Sequence, residues 1–273
     1  MDKLQVGGIE LAYACQGDGD WIVFSHCGMI PDGFAPISND PSFIDYRRLT
    51  YHRRGQGNSS HPSGAVTTVD HAGDFESPMR ALGIRTGHVV GHSFGGAIAI
   101  QLAIQAPNLV QTLTICDPAM PNVPMPNAEK FLEDAMAIQA RYESGDKKGA
   151  FDDFMSARAG VGWRESIERE LLEGTYEKGL KDVDQWFQID VPGVRQWGSN
   201  VSDDDIKAID KPILRVTGSN SLTIHRDVYS LLENWWPESE GIVLEGANHF
   251  GPVDKPKQFV PILIDFLARH SID

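Results

Sequence analysis

The chain reads as an α/β protein, a mostly parallel sheet flanked by helices and interrupted by one helical insertion. Three observations predict it. Short apolar runs alternate with helical spacing through the first 120 residues and again after residue 210, the pattern of parallel strands joined by crossovers. The stretch between lacks strand-like alternation and carries amphipathic helical patterns. A length of 273 residues suits one large sheet domain with an insertion better than two equal halves.

The elements follow in order. Ile9–Ala14 is the first predicted strand, closed by a turn at Asp18–Gly19–Asp20. Trp21–Phe24 is a strand ending in Ser25–His26–Cys27–Gly28, and Arg48–His52 one ending in Arg53–Arg54–Gly55–Gln56–Gly57. Thr68–Leu82 has helical spacing, with Asp70, Asp74 and Glu76 on its polar side. His88–Val90 is a very short buried strand, Phe94–Gln105 an apolar helix, and Val110–Cys116 a strand ending at Asp117–Pro118. The insertion holds four expected helices, Ala128–Glu143, Lys147–Ala157, Arg164–Leu172 and Tyr176–Phe187, punctuated by glycines and by Pro192–Gly193. Strand Ile213–Thr217, helix Arg226–Glu233, strand Ile242–Leu244 and helix Gln258–Arg269 complete the pattern.

Charge and cysteine usage exclude several classes. With 24 Lys+Arg against 38 Asp+Glu, the net charge is −14. That repels a polyanion, and no basic run offsets it, so neither nucleic acid nor an anionic membrane is an expected partner. The charge is uneven: residues 121–210 hold 19 acidic and 11 basic side chains, a net of −8. No apolar run reaches the roughly 18 residues of a membrane-spanning helix, and Met1–Val6 has no apolar stretch, so no signal peptide is expected. Cys15, Cys27 and Cys116 are sparse, odd in number and form no CxxC. That pattern predicts a reducing cytoplasm and no zinc site. No HExxH pattern, cysteine cluster or nucleotide-binding glycine pattern appears, so no metal or cofactor is expected.

The chemistry concentrates at Gly91–His92–Ser93–Phe94–Gly95–Gly96, which follows a strand and opens a helix. In that context G-x-S-x-G forms a tight strand-to-helix turn that lifts the serine above the sheet edge. Side chains two residues either side of the serine would collide, which accounts for Gly91 and Gly95. The helix N-terminus behind it favours developing negative charge.

With this motif the chain resembles the α/β-hydrolase family over nearly its whole length. The matching pieces are Ser25–His26–Cys27–Gly28, Tyr51–His52–Arg53–Arg54–Gly55–Gln56–Gly57–Asn58–Ser59, Gly91–His92–Ser93–Phe94–Gly95–Gly96 and Gly246–Ala247–Asn248–His249–Phe250, in the family's order. The resemblance implies an eight-stranded sheet and a helical cap after the sixth strand. The division would be core residues 1–120 and 210–273 with a cap over 121–209.

A serine hydroxyl needs a general base. His249 lies in the loop that carries the catalytic histidine in the resembled family, whereas His92 should point away from the active-site mouth, His26 should order the oxyanion loop and His225 is a distant alternative. The family's usual acid follows the seventh strand, where this chain has Gly218–Ser219–Asn220–Ser221–Leu222 and no carboxylate. Asp117, 24 residues after Ser93, is the substitute; it resembles relatives that carry the acid on the sixth strand. Asp254, in an exposed turn, is a weaker candidate. The oxyanion donors implied are the N–H groups of Phe94 and Gly28, with Cys27 or Met29 taking over if the loop shifts by a residue. His26, Cys27, Met29, Trp163, Trp186, Phe187 and Phe250 are the expected pocket residues, with Trp197, Met120 and Met125 nearby.

The expectation is therefore a cofactor-independent serine hydrolase, a monomer or homodimer, acting on an ester, lactone or other small hydrophobic acyl compound. Alternatives are a carbon–carbon bond hydrolase with the same triad and a hydrolase-like small-molecule receptor with slow or no turnover.

Overall fold

The computed structural model describes residues 1–61, 63–120, 128–160 and 162–272. Its strands are β1 (Asp2–Val6), β2 (Ile9–Gln16), β3 (Asp20–Ser25), β4 (Tyr46–Tyr51), β5 (Gly87–His92), β6 (Val110–Cys116), β7 (Ile213–Gly218) and β8 (Glu240–Leu244). They form one eight-stranded sheet in the order β1-β2-β4-β3-β5-β6-β7-β8. β2 runs against both neighbours, and from β4 to β8 every pairing is parallel. β5 is central and buried at all its positions, as a strand covered on both faces must be.

β1 departs from the sequence expectation, which assigned no element to Met1–Val6. The segment has no apolar run, yet its backbone pairs with β2 in register from Asp2↔Tyr13 to Val6↔Ile9. An edge strand with one paired side needs less apolar burial than a central one.

One sheet face packs on helices Thr68–Ala81 and Phe94–Gln105 through Ala72, Phe75, Met79, Ala97 and Ile98. The other packs on helix Pro256–Ala268 through Phe259, Leu263 and Phe266. Helix Phe94–Gln105 is buried from Phe94 to Ala103, in keeping with its apolar composition on every side.

Between β6 and β7 the described residues form the helices Ala128–Glu143, Lys147–Ala159, Trp163–Glu170, Thr175–Lys181, Val183–Gln185, Val191–Asn200 and Asp203–Lys207. The expected single helix Tyr176–Phe187 is instead two short helices that run into a π-helical turn at Trp186–Asp190. Pro192–Gly193 does not break the chain. Pro192 sits in the first turn of the next helix, where its missing N–H costs nothing. A side chain at Gly193 would strike the Val66 carbonyl, so glycine lets this helix lie against the loop before Thr68–Ala81. Met125 lies outside the described residues.

Candidate active site

The site forms where parallel strands end, as crevices in open α/β sheets do. Ser93 follows β5 with φ +54° and ψ −119°, a strained conformation for a residue with a side chain. The neighbouring glycines permit it: a Cβ on Gly91 would come 2.5 Å from the Gly95 carbonyl oxygen, and one on Gly95 would strike the backbone of Ser25 and His26. The Ser93 N–H donates to Cys116 O (2.9 Å) and the Ala119 N–H to Ser93 O (2.9 Å). These bonds stitch the end of β5 to the end of β6.

Asp117 follows β6, buried and also at positive φ, +39°. His249 follows β8 in a loop whose Ala247 carbonyl accepts from the Asn220 N–H (2.8 Å). His249 Nε2 lies 3.0 Å from Ser93 Oγ, a hydrogen-bond distance. His249 Nδ1 lies 3.6 Å from Asp117 Oδ2, an ion-pair separation longer than a hydrogen bond. Asp117 Oδ2 accepts from the Ser221 hydroxyl at 2.6 Å. The turn after β7, which lacks a carboxylate, thus supports the carboxylate of β6.

Two further histidines hold this group. His92 Nε2 donates to the His249 carbonyl at 2.7 Å, and burial pulls its pKa down to about 3, so it serves as a neutral backbone anchor. The His225 ring stacks on His249 with centroids 4.2 Å apart and planes 16° from parallel. Burial first, and then the charges of His249 and Arg158, hold the His225 pKa well below its ordinary value. Among the described residues, Asp117, His225 and His249 are the one group with ligand atoms close enough to share a metal ion, within 4.8 Å of one another. Nearly parallel stacked imidazoles do not place one ion in both ring planes at the usual ~2.0–2.1 Å metal–nitrogen distance. Coordination would need one ring to turn.

The loop after β3 is ordered from β4. The Arg53 N–H donates to His26 Nε2 (3.1 Å), so His26 Nδ1 carries the proton and donates to Cys27 O (2.7 Å). Arg53 Nη2 donates to the same carbonyl (3.2 Å), and its Nη1 donates to Asp190 Oδ2 (3.0 Å). Asp190 ends the π-helical turn and also accepts from Gln185 (2.8 Å) and His71 (3.3 Å). Burial alone would raise the Asp190 pKa, but Arg53 and then His71 outweigh it and hold the carboxyl below the ordinary range. Both Arg53 and Asp190 are fully buried. Sequence reasoning missed this network, whose partners stand 137 residues apart.

Phe94 is the first residue of its helix, so its N–H is among those a helix leaves without an internal acceptor. Gly28 lies under the Trp186 ring, which occupies the space of any side chain there. Cys27 is buried, and burial pushes its thiol up to about 12, leaving an unreactive sulfhydryl.

A cavity of about 140 Å³ opens at Ser93 and His249. Of the expected pocket residues, Trp186 and Phe187 line it, as does Met120. Trp163 lies elsewhere, stacked on Tyr176 with its Nε1 donating to Ser156 Oγ. Trp197 donates to Gln101. Met29 is fully buried, Phe250 packs in a separate small hollow with Ile30 and Val253, and His26 and Cys27 are buried within the loop after β3 and are not among the residues that line the cavity. Phe131, Ile138, Phe154, Arg158, Val194 and His225 line the cavity and were not expected there. The i, i+4, i+7 spacing of Phe131, Ala135 and Ile138 was the signal that helix Ala128–Glu143 turns one face to the cavity.

Residues 20–256 match the family model for the alpha/beta hydrolase fold, and the chain belongs to that family. It is similar to the mouse sn-1-specific diacylglycerol lipase ABHD11, 23% identical over 81% of this chain and 72% of the lipase. It is also similar to a 2-hydroxy-6-oxononadienedioate/2-hydroxy-6-oxononatrienedioate hydrolase of Pseudomonas sp, 22% identical over 96% of this chain and 93% of that protein. Among solved structures, Est816, described as an N-acyl homoserine lactone degrading enzyme, superposes with TM-score 0.79 and 25% identity over 97% of this chain and all of that one. For two other curated relatives, the match spans only 30% and 41% of their length. Among the described residues, no helix is long and apolar enough to cross a membrane.

Proposed function

We propose that the protein is a serine hydrolase that cleaves an ester, lactone or similar small acyl compound through an acyl-enzyme. The observation that carries this reading is the 3.0 Å contact between Ser93 Oγ and His249 Nε2 on a strained turn beside a cavity. His249 takes the Ser93 proton as the hydroxyl attacks the acyl carbon, and Asp117 orients the imidazole and stabilises the imidazolium. The N–H groups of Phe94 and Gly28 bind the oxyanion. His249 returns the proton to the leaving alcohol, then activates the water that releases the acid. No cofactor enters these steps.

In this reading residues 121–209 form a cap over a core of residues 1–120 and 210–273. The cap supplies Trp186, Phe187 and the other apolar walls of the cavity. An engineered cavity of about 150 Å³ holds benzene, so 140 Å³ suits an acyl group of roughly that size. Three free cysteines, two of them buried, suit a reducing cytoplasm. The test is hydrolysis of short p-nitrophenyl esters by the wild type and its loss in Ser93→Ala.

A second reading, hydrolysis of a carbon–carbon bond in a vinylogous diketone, is favoured by similarity to the Pseudomonas sp oxononadienedioate hydrolase across 96% of this chain. Rapid turnover of a ring-fission dienoate with little esterase activity would select it.

A further inference from the structure

We infer that the cavity accepts an acyl group ending in an anion, a carboxylate held by Arg158 with His225 beside it. This rests on the serine hydrolase reading above and specifies the class of its substrate.

The charge distribution carries the inference. Residues 121–210 hold 19 acidic and 11 basic side chains, yet the cavity that this segment helps to line contains two arginines and no carboxylate among the described residues. Arg158 is one of them. It is buried, and its guanidinium rests on the rings of Phe131 (4.1 Å) and Phe154 (5.1 Å). Among the described residues it forms no hydrogen bond or ion pair; Asp134 acts on it only at longer range. Burial accordingly pulls its pKa down to about 10, which still leaves it charged at neutral pH. Arg158 also borders a second hollow lined by Glu129 and Asp134, but toward the apolar cavity it has no hydrogen-bond partner among the described residues, and a ligand carboxylate there would offset the cost of burying the cation with bidentate geometry.

The polar groups lie in a row. His225 meets Phe131 edge-on at 6.4 Å and stacks on His249 at 4.2 Å, and His249 reaches Ser93 at 3.0 Å. His225 Nε2 is buried without a partner, one more hydrogen-bonding atom in the lining. An acyl group bonded to Ser93 would therefore find a cation and a neutral imidazole in the cavity that receives its chain. The net charge of −14 opposes capture of anions at long range, but salt screens it within about 8 Å at physiological strength, while a buried pair is little screened.

The test compares methyl pentanoate with monomethyl glutarate, which share a five-carbon acyl chain and differ in the terminal carboxylate. The wild type is expected to favour the glutarate ester at least tenfold in kcat/KM. Arg158→Gln is expected to bring that ratio to one or below, and Arg158→Lys to keep part of it. Glutarate should raise the melting temperature of the wild type and not of Arg158→Gln. A wild-type ratio of one or less with the neutral ester hydrolysed overturns the inference, as does an equal loss on both esters in Arg158→Gln, which would make Arg158 a packing residue. If neither ester is hydrolysed and Ser93 resists fluorophosphonate, the hydrolase reading fails instead, and the glutarate shift still decides the anion site.

Discussion

The Ser221 hydroxyl donates to Asp117 Oδ2 at 2.6 Å, linking the turn after β7 to the strand end of β6. Ser221 Oγ in turn accepts from the Gly218 N–H at 3.1 Å. The turn holds the carboxylate in place rather than supplying one. Asp117→Asn should therefore lower kcat/KM for a short ester by about 10³–10⁴-fold, the cost of losing the charge and the correct imidazole tautomer. Ser221→Ala should cost about tenfold, one hydrogen bond to a charged group. Asn220→Ala should cost much less than Asp117→Asn. Steady-state kinetics on the three variants ranks them, and the reverse order would move the acid to the β7 turn.

Arg53 and Asp190 bind the π-helical turn to the carbonyl of Cys27, in front of Gly28. Removing one partner leaves the other charge buried and unpaired. Asp190→Ala should destabilise the fold by about 3–5 kcal/mol. The double change Arg53→Met with Asp190→Leu should recover part of that loss. Urea denaturation measures both, and a loss below about 1 kcal/mol for Asp190→Ala would mean that the pair is not a structural tie.

Gly28 and Trp186 test the contact between the helical insertion and the sheet domain. A methyl group on Gly28 would enter the Trp186 ring. Gly28→Ala should lower ester hydrolysis at least tenfold, since a displacement of about 1 Å costs on the order of 10²-fold when geometry matters. Adding Trp186→Ala should restore stability more than activity, because the space returns while the cavity loses a wall. Melting temperature and kcat/KM, read together, separate the two effects.

The buried histidines set the acid limit of stability. Burial is the chief cause that lowers His26 and His225 well below 6.5, His92 to about 3 and His88 to about 4. Their folded pKa values lie below the unfolded one, so between the two the unfolded chain binds more protons. Their contribution is whole above pH 6.5 and is lost as the pH falls toward the folded values, by about 1.4 kcal/mol per pH unit for each histidine. The urea midpoint should fall steeply between pH 6.5 and 4, and His88→Gln should flatten that slope. A midpoint constant over this range would contradict the neutral buried state.

Much of the candidate site was legible because each side chain it brings together follows a strand. Ser93 after β5, Asp117 after β6 and His249 after β8 stand at the ends of predicted strands, and parallel register brings such ends to one edge. Asp117, the proposed acid, was legible as a candidate despite the altered β7 turn, since it is the residue directly after β6. Other features leave no periodic trace. β1 is held by backbone pairing without an apolar run. The π-helical turn at Trp186–Asp190 meets Arg53 across 137 residues, and no local spacing encodes that pairing. The aromatic residues of the insertion illustrate the same limit. Trp163 and Trp186 look alike in sequence, yet Trp163 packs on Tyr176 while Trp186 covers Gly28, because the short helices between them decide which way each turns.

The central claim is that Ser93 is a nucleophile activated by His249. Labelling with a fluorophosphonate, followed by mass spectrometry of the digested protein, tests it most directly. The wild type should carry one adduct, on the peptide containing Ser93. Ser93→Ala should carry none, and His249→Ala should label at least a hundredfold more slowly, the usual scale of general-base assistance. An unlabelled Ser93 in the folded wild type, or equal labelling in His249→Ala, would contradict the mechanism.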